Sequence, residues 1–482
     1  MTYINQGLGY GLVIGFGLVM FAITWFFARW KGYKTKLGFL LAGRNVGWIL
    51  GGATIAASWI WAPALFVSSQ MAYTKGLAGI FWFTVPNVLA LILFAFFAPQ
   101  IRKKFPEGYT LPEYIKHKLK SESVHKIYLF PYFFYQLMSV AVQLFAGSAL
   151  LYMLTGINII IGMILISVIV LAYTLVSGFE ASVVTDLFQL ILIYVPGIII
   201  VVSLLSKFGF SAIVPGLNGI ESTAGIFDPS VAFAFGIVTA IGLISGAISD
   251  QQYWQRSFAI KKDQLKKAFV FGGILFGLVP IGLSILGFIA ANPAMGISLP
   301  AGVDVSLIGV QTVATLLPTW IVALFVLLLL GGLCSTFDSG LSATSSLFTI
   351  DVLKSNDDKK NLKYSRIAMV GITALGLLVA LAANYIPGFG LKHLWWIFNT
   401  IAACVVVPTV LSLYWEKLNA KGVFWGVLVS FFVGIPLFIY GNVINNAYWI
   451  VFSSLGIIAI SALLCVVFSL IRKSKIPNYL SG

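Results

Sequence analysis

Two stretches of this chain carry residue types and spacings that suit the binding of a small cation. The first runs from Gly331 to Ser346 and puts seven hydroxyls and one carboxyl within twelve residues of an apolar segment. At helical spacing Ser335, Ser339, Ser342 and Ser346 share a face. Hydroxyls in apolar helices often bond back to their own backbone, and the run also reads as small-residue packing with polar glue. Asp338 weighs against that bland reading, because an ionisable group inside a membrane span is a functional candidate by default. Hard oxygen ligands suit a small hard cation, Na+ being the usual one. The second stretch is 53–64. Gly51 and Gly52 precede it, and Pro63 lacks an N–H and clashes with the carbonyl four residues back, that of Trp59. A carbonyl freed at membrane depth must find a partner. Either neighbouring helices satisfy a proline kink, or unwound carbonyls hold a cation.

The elements that must position these residues are read from composition. Hydrophobic residues make up 60% of the 482, charged residues 9%, and the mean hydropathy is +0.99. A soluble domain carries about 25% charge. The apolar runs reach the ~20 residues of a helical span rather than the ~10 of a barrel strand. The chain therefore reads as an all-α integral membrane protein whose partner is the lipid bilayer; a small-molecule substrate is the partner expected from the transporter reading below. Thirteen apolar segments are expected, at about 7–28, 45–73, 78–100, 127–155, 157–177, 181–206, 231–250, 268–291, 318–353, 366–385, 393–415, 420–441 and 447–471. The polar segment 101–126 has the Leu111, Tyr114, Ile115 and Leu119 spacing of a short amphipathic helix on the membrane surface. Residues 292–317 read as a loop rich in Gly and Pro.

Lys and Arg set the orientation. The loops after odd-numbered spans, with the C-terminal tail, hold 27 of the 30, including Lys34, Arg472, Lys473 and Lys475; Lys75, Lys207 and Lys392 fall on the other side. The N-terminus is expected outside and the C-terminus in the cytoplasm, in a plasma or inner membrane. The same count accounts for the net charge of +15, so nucleic acid is not an expected partner. Spans two to six and seven to eleven are two sets of five. Five is odd, so the second set runs inverted relative to the first. Each set opens with a Gly-interrupted segment, and paired interruptions of that kind point to a transporter's midplane site.

Other groups are sparser. Asp186 lies one turn into span six, either as an interfacial carboxylate, as a partner for a basic loop, or at an ion site. The core spans contain no Arg or Lys, which disfavours a strongly acidic substrate. Cys334, Cys404 and Cys465, with His117, His125 and His393, form no metal or catalytic spacing. No nucleophile–base grouping is evident, so neither an enzyme nor a cofactor is expected. A membrane sensor would carry a soluble output domain, and a channel would not need paired interruptions.

Four motifs together resemble the sodium:solute symporter family. They are Leu41-Ala42-Gly43-Arg44-Asn45-Val46-Gly47-Trp48, Ser177-Gly178-Phe179-Glu180-Ala181 with Thr185-Asp186, Asp250-Gln251 with Gln255-Arg256, and Ser335-Thr336 with Asp338-Ser339 and 347–351. The resemblance implies a LeuT-like five-plus-five inverted repeat with an extra N-terminal helix, forming a single transmembrane transporter domain, 1–482. The extra helix would be 7–28, the repeats 45–206 and 231–415, and two further helices 420–471. It implies a main sodium site from the carbonyls of Ala57, Ile60 and Gly332 and the hydroxyls of Ser335 and Thr336. A second ion site would involve Asp186, Asp338 and Ser339, where Asp338 adds a charge. Within the family, 57–62 with Val67, Ala72-Tyr73, Gly76 and 79–82 resembles the urea and polyamine branch, as does Gln252-Tyr253-Trp254-Gln255-Arg256. The residues point the same way. Trp59 and Trp61 put two indoles at the break, whose N–H donors and ring faces suit a planar neutral amide, unless they only pack the break. Gln143, Ser245, Trp396, Asn399 and Thr400 are further candidates to face the solute. The expected function is Na+-coupled symport of a small polar solute, urea first, by alternating access. Proline, a sugar or a vitamin are the alternative solutes, and H+ the alternative ion.

Overall fold

The computed structural model describes residues 3–31, 35–386 and 390–471; Lys34, Arg472, Lys473 and Lys475 lie outside them. The described residues form helices and turns, with one isolated bridge between Val46 and Ile260. The helices are α1 (Gln6–Lys31), α2 (Lys36–Leu41), α3 (Trp48–Trp59), α4 (Ala62–Lys104), α5 (Leu111–Leu119), α6 (Glu122–Thr155), α7 (Ile159–Ser177) and α8 (Phe179–Phe208). They continue as α9 (Pro229–Ser249), α10 (Gln251–Ala259), α11 (Leu265–Ala291), α12 (Val305–Leu316), α13 (Thr319–Leu347), α14 (Asp358–Asn384), α15 (Leu391–Tyr414), α16 (Ala420–Val443) and α17 (Ala447–Ile471).

Twelve of the described helices are long and apolar enough to cross a membrane. One of them, α4, has 43 residues. Running straight it would extend about 65 Å, twice the ~30 Å hydrocarbon core. It turns instead at Gly76, whose φ of 58° and ψ of −142° are not helical. The limb before Gly76 continues α3, itself only 12 residues long, to make one crossing; the limb after it makes the next. Thirteen crossings result among the described residues, as the apolar pattern implies.

The interrupted span is cradled by α11. A Cβ on Gly272 would lie 2.7 Å from Ile55 and 3.0 Å from the carbonyl of Gly52, and one on Gly287 2.1 Å from the carbonyl of Ser69. Small residues let backbones approach where lipid supplies no hydrophobic drive. The helix α13 lies on the opposite side, and all of Leu328–Leu347 is buried, which is why its hydroxyls face protein rather than lipid.

Two expectations change. Helix α5 does not use its apolar face on a membrane surface. Leu111, Tyr114 and Ile115 are buried in protein, and the Tyr114 hydroxyl donates to the Ser412 carbonyl at 2.7 Å. Amphipathic periodicity identifies a buried stripe but not what covers it. The loop 292–317 also contains a helix, α12, opened by the Asp304 carboxylate accepting from the Ser306 N–H at 2.8 Å. Pro293, Gly296, Pro300 and Gly302 lie before that cap, and Gly309 is taken into the helix.

Gly76 carries the sharpest local constraint. Its φ is one that L side chains rarely adopt, and a Cβ would stand 2.1 Å from the Leu217 carbonyl oxygen. Gly76→Ala is therefore expected to cost about 1–3 kcal/mol from backbone strain alone. Thermal unfolding of the purified protein in detergent should show a clear fall in melting temperature; an unchanged melting temperature contradicts this reading of the turn.

Candidate functional site

The site is built around the interruption between α3 and α4. Ile60 (φ −82°, ψ 68°) and Trp61 (φ −94°, ψ 179°) leave the helical region. Pro63 falls in the first turn of α4, where its missing N–H would have no helical partner anyway. It opens the second limb rather than kinking the first, so the break falls just past the Trp59 carbonyl that the sequence pointed to. The loose ends are then tied individually. The Ile60 N–H donates back to the carbonyls of Ala56 and Ala57 at 3.0 and 3.1 Å. The Ala62 N–H donates to Oε1 of Gln143 at 2.9 Å, while Nε2 of Gln143 donates to the Ser139 carbonyl at 3.3 Å. Gln143 thus ties the backbone at the break with one donor and one acceptor.

Helix α13 closes on the break from the side. A Cβ on Gly332 would lie 2.7 Å from the Ile60 carbonyl oxygen, so a bare backbone is what admits that carbonyl. The Thr336 hydroxyl donates to the Ser58 carbonyl at 3.1 Å, and the Ser335 hydroxyl donates to Asp186. Both hydroxyls give their hydrogens away, which leaves oxygen lone pairs free to face a cation. Gly332 thus meets Ile60, Thr336 meets the carbonyl of Ser58 two residues earlier, and Ser335 faces Asp186, while the Ala57 carbonyl accepts from the Ile60 N–H.

One turn further along α13 lies a buried polar network. Nη2 of Arg256 is 3.1 Å from Oδ2 of Asp186, and both side chains are fully buried. The same guanidinium donates to Oγ1 of Thr54 at 2.8 Å and Oγ of Ser339 at 2.8 Å, and Nη1 donates to the Gln252 carbonyl at 3.1 Å. Thr54 in turn donates to Asp186. Ser339 also meets Ser58 at 2.9 Å. This corrects the expectation that the core lacks a base. Arg256 lies on α10, which folds back so that all nine of its residues are buried. The available signal was Asp186 itself, since an acid at depth needs a partner. Asp338 has other company: Ser182 donates to Oδ1 at 2.6 Å and Tyr173 to Oδ2 at 2.8 Å. Asp186 and Asp338 do not share a ligand; Ser339 stands between them, 3.3 Å from Ser182.

On the α4 side of the break sits an aromatic group. Trp59 and Trp61 stack at 5.7 Å, Trp59 meets Tyr253 at 5.3 Å, and Trp61 meets Trp395 at 6.1 Å and Phe398 at 5.3 Å. The indole N–H groups of Trp59, Trp61, Trp395 and Trp396 and Nδ2 of Asn399 are buried without a hydrogen-bond partner, as are Oε1 of Gln252 and the Tyr253 hydroxyl. Buried polar atoms are nearly always paired, and these residues hold seven of the nineteen that lack a partner among the described residues. Asn399 lies against α9, where a Cβ on Gly246 would be 2.6 Å from its Oδ1. Ser245 is buried on the same helix, and Thr400 beside Asn399. Trp395 was not singled out from sequence, and Tyr253 entered only within the 252–256 motif, not as a candidate to face the solute; each looks like an ordinary core aromatic until its polar atom is found unpaired.

Similarity to known proteins fits this arrangement. The model of the sodium:solute symporter family matches residues 39–430. A urea-proton symporter of Oryza sativa subsp. japonica is 26% identical over 485 residues, covering 90% of this chain and 66% of that protein. A urea active transporter of Saccharomyces cerevisiae is 26% identical over 453 residues, covering 86% of this chain and 60% of its own length. A sodium/glucose cotransporter of Vibrio parahaemolyticus is 23% identical, covering 89% of this chain and 85% of its own. The chain thus spans about two thirds of the urea-transporting relatives it matches. In fold it superposes on a Na+-coupled sialic acid symporter in a substrate-bound outward-open state, with a TM-score of 0.79, 17% identity, and coverage of 97% of this chain and 98% of that one. The architecture is the LeuT-like five-plus-five inverted repeat preceded by an extra helix. With its interrupted helix, its facing hydroxyls and a match over most of its length, the chain belongs to the sodium:solute symporter family.

Proposed function

We propose that this protein is a secondary active transporter that couples Na+ entry to uptake of a small neutral solute, urea first, across a plasma or inner membrane. The observation that carries the solute class is the set of buried, unpartnered polar atoms beside the break. The set of indole N–H groups and the Asn399 amide offers more donors than the roughly two that one carbonyl oxygen accepts. Oε1 of Gln252 and the Tyr253 hydroxyl would accept from amide N–H groups. Urea presents one acceptor and two planar NH2 groups, and its flat faces match stacked indoles. The urea-transporting relatives support the same choice. A carboxylate-bearing solute such as proline is less well served, because the buried base, Arg256, is already bound to Asp186.

In this reading Na+ sits among the carbonyls of Ala57, Ile60 and Gly332 and the hydroxyls of Ser335 and Thr336. Its charge draws those carbonyls together and fixes the geometry of Trp59 and Trp61, which is how ion binding raises affinity for the solute. By linkage the solute raises affinity for the ion to the same extent. Gln143 holds the start of α4 rather than touching solute, and Trp395 joins Trp59, Trp61, Trp396, Asn399 and Ser245 around it. The repeats 45–206 and 231–415 rock about the site, exposing it first to the outside, where the N-terminus lies, and then to the cytoplasm, where the C-terminus lies. This orientation rests on the Lys and Arg distribution.

Uptake of labelled urea into proteoliposomes, with and without an inward Na+ gradient, tests the reading; saturable uptake that requires Na+ is expected. Ser335→Ala with Thr336→Ala removes two ligands to a charged ion, each bond being worth about 1.5–3 kcal/mol. The double variant should raise the Na+ concentration for half-maximal uptake by about tenfold or more. Unchanged Na+ dependence would sink the site. Separately, Trp61→Phe or Trp395→Phe keeps an aromatic ring and deletes an N–H. Each should raise the KM for urea by about 2–10-fold, the worth of one neutral hydrogen bond, and leave the Na+ dependence in place. A KM unmoved in both assigns these indoles to packing.

A further inference from the structure

The limb of α4 after Gly76 turns one polar side chain into the protein at the level of the aromatic group. Phe83, Asn87 and Phe94 fall four and seven residues apart, which at helical spacing puts them within about 40° of one another. Phe83 meets Trp395 at 6.3 Å, and Phe94 meets Tyr253 at 5.7 Å. Asn87 therefore lies along the helix between two contacts, each made to a residue whose own polar atom is unpartnered. The adjoining side of the limb is taken by α11. A Cβ on Gly273 would be 3.1 Å from Ile92 and 3.4 Å from the Val88 carbonyl.

Asn87 is fully buried, and its amide is oriented by its own helix. Nδ2 donates to the Phe83 carbonyl at 2.7 Å. A carbonyl oxygen accepts but cannot donate, so the amide cannot be turned end for end. Oδ1 is thereby set away from that bond, and it is buried without a partner. An unpaired amide oxygen at this depth costs free energy that leucine, of similar size, would not. What asparagine adds is one acceptor of fixed direction. Beside the break the unpartnered acceptors are Oε1 of Gln252 and the Tyr253 hydroxyl, set against five unpartnered donors. A solute with two NH2 groups has more N–H bonds to place than those two oxygens serve well.

We propose that Oδ1 of Asn87 accepts from one NH2 group of the solute and so makes the second NH2 a requirement for tight binding. Asn87 is then a specificity residue. It separates urea from amides of the same shape in which a methyl replaces one NH2. A methyl set against Oδ1 leaves that buried oxygen unpaired, which is how a site rejects an isostere. The inference rests on the urea reading of the site and adds the feature of the solute that is recognised.

The test compares urea with acetamide, which keeps the carbonyl and one NH2. KM values for the Na+-dependent uptake of each labelled solute are measured in proteoliposomes for wild type, Asn87→Leu and Asn87→Ala. Both variants keep the Phe83 carbonyl paired, because the backbone N–H at position 87 still donates to it within the helix. In wild type the KM for acetamide should exceed that for urea by about 2–10-fold, the worth of one neutral hydrogen bond. Each variant should raise the KM for urea by about that factor and leave the KM for acetamide unchanged or lower, so the ratio falls towards one. A wild type with equal KM for both solutes overturns the proposal, as does a ratio unchanged in both variants; urea symport stands in either case. Loss of both uptakes in both variants also overturns it, since Asn87 would then serve the structure and not the second NH2. A wild type that takes up no urea refutes the solute reading and this inference with it.

Discussion

A backbone opened inside a membrane has no water to satisfy it, and the rest of this structure follows from that constraint. At Ile60 and Trp61 the helix lets go, and each exposed group is answered by a dedicated partner. Gln143 reaches from α6 for the Ala62 N–H, Thr336 reaches from α13 for the Ser58 carbonyl, and Gly332 withdraws so that the Ile60 carbonyl has room. The packing glycines of α11 bring a third backbone against the same span. These ties hold the break in one shape while leaving oxygens of α3 and α13 facing each other. A helix interruption that is half satisfied by protein and half available is what a cation with oxygen ligands requires.

The second organising feature is charge. Asp186 and Arg256 are both fully buried, and a pair of that kind is weak evidence for stability because desolvation offsets the attraction. Its value is geometric. The guanidinium also holds Thr54 on α3 and Ser339 on α13, and Asp186 on α8 holds Ser335, so four helices are registered by one ion pair. Ser335 belongs to this network and to the candidate ion site at once. Occupation of the ion site and the state of the network are therefore linked through one hydroxyl.

Much of this was legible in the chain. Spans are set by local hydropathy, and the thirteen apolar runs are the thirteen crossings, including one hidden in a 43-residue helix that bends at Gly76. The break was visible because Gly51, Gly52 and Pro63 crowd one stretch, although Pro63 starts the second limb instead of disrupting the first. The hydroxyl run of α13 stood out against an apolar background. What could not be read depends on long-range placement. Arg256 looked like one of five basic residues in a loop, and only the return of α10 into the core shows its partner. That Gln143 reaches the Ala62 N–H was not readable, because sequence does not show which backbone group lies opposite. Trp395 carried no pattern that separates a packed ring from one with an unpaired donor, and the motif around Tyr253 did not say which of its side chains lacks a partner. The apolar face of α5 was real, but its cover is protein, and periodicity carries no information about that.

The central claim is that Na+ binds the opened backbone between α3 and α4 and fixes its shape. Hydrogen–deuterium exchange of residues 56–64 in the lipid-reconstituted protein, with Na+ against an equal concentration of choline, addresses it most directly. The account expects Na+ to slow exchange at the amides around Ile60 and Trp61, with the slowing lost in Ser335→Ala/Thr336→Ala and distant helices unaffected. Exchange through this segment that is the same in Na+ and choline would contradict it.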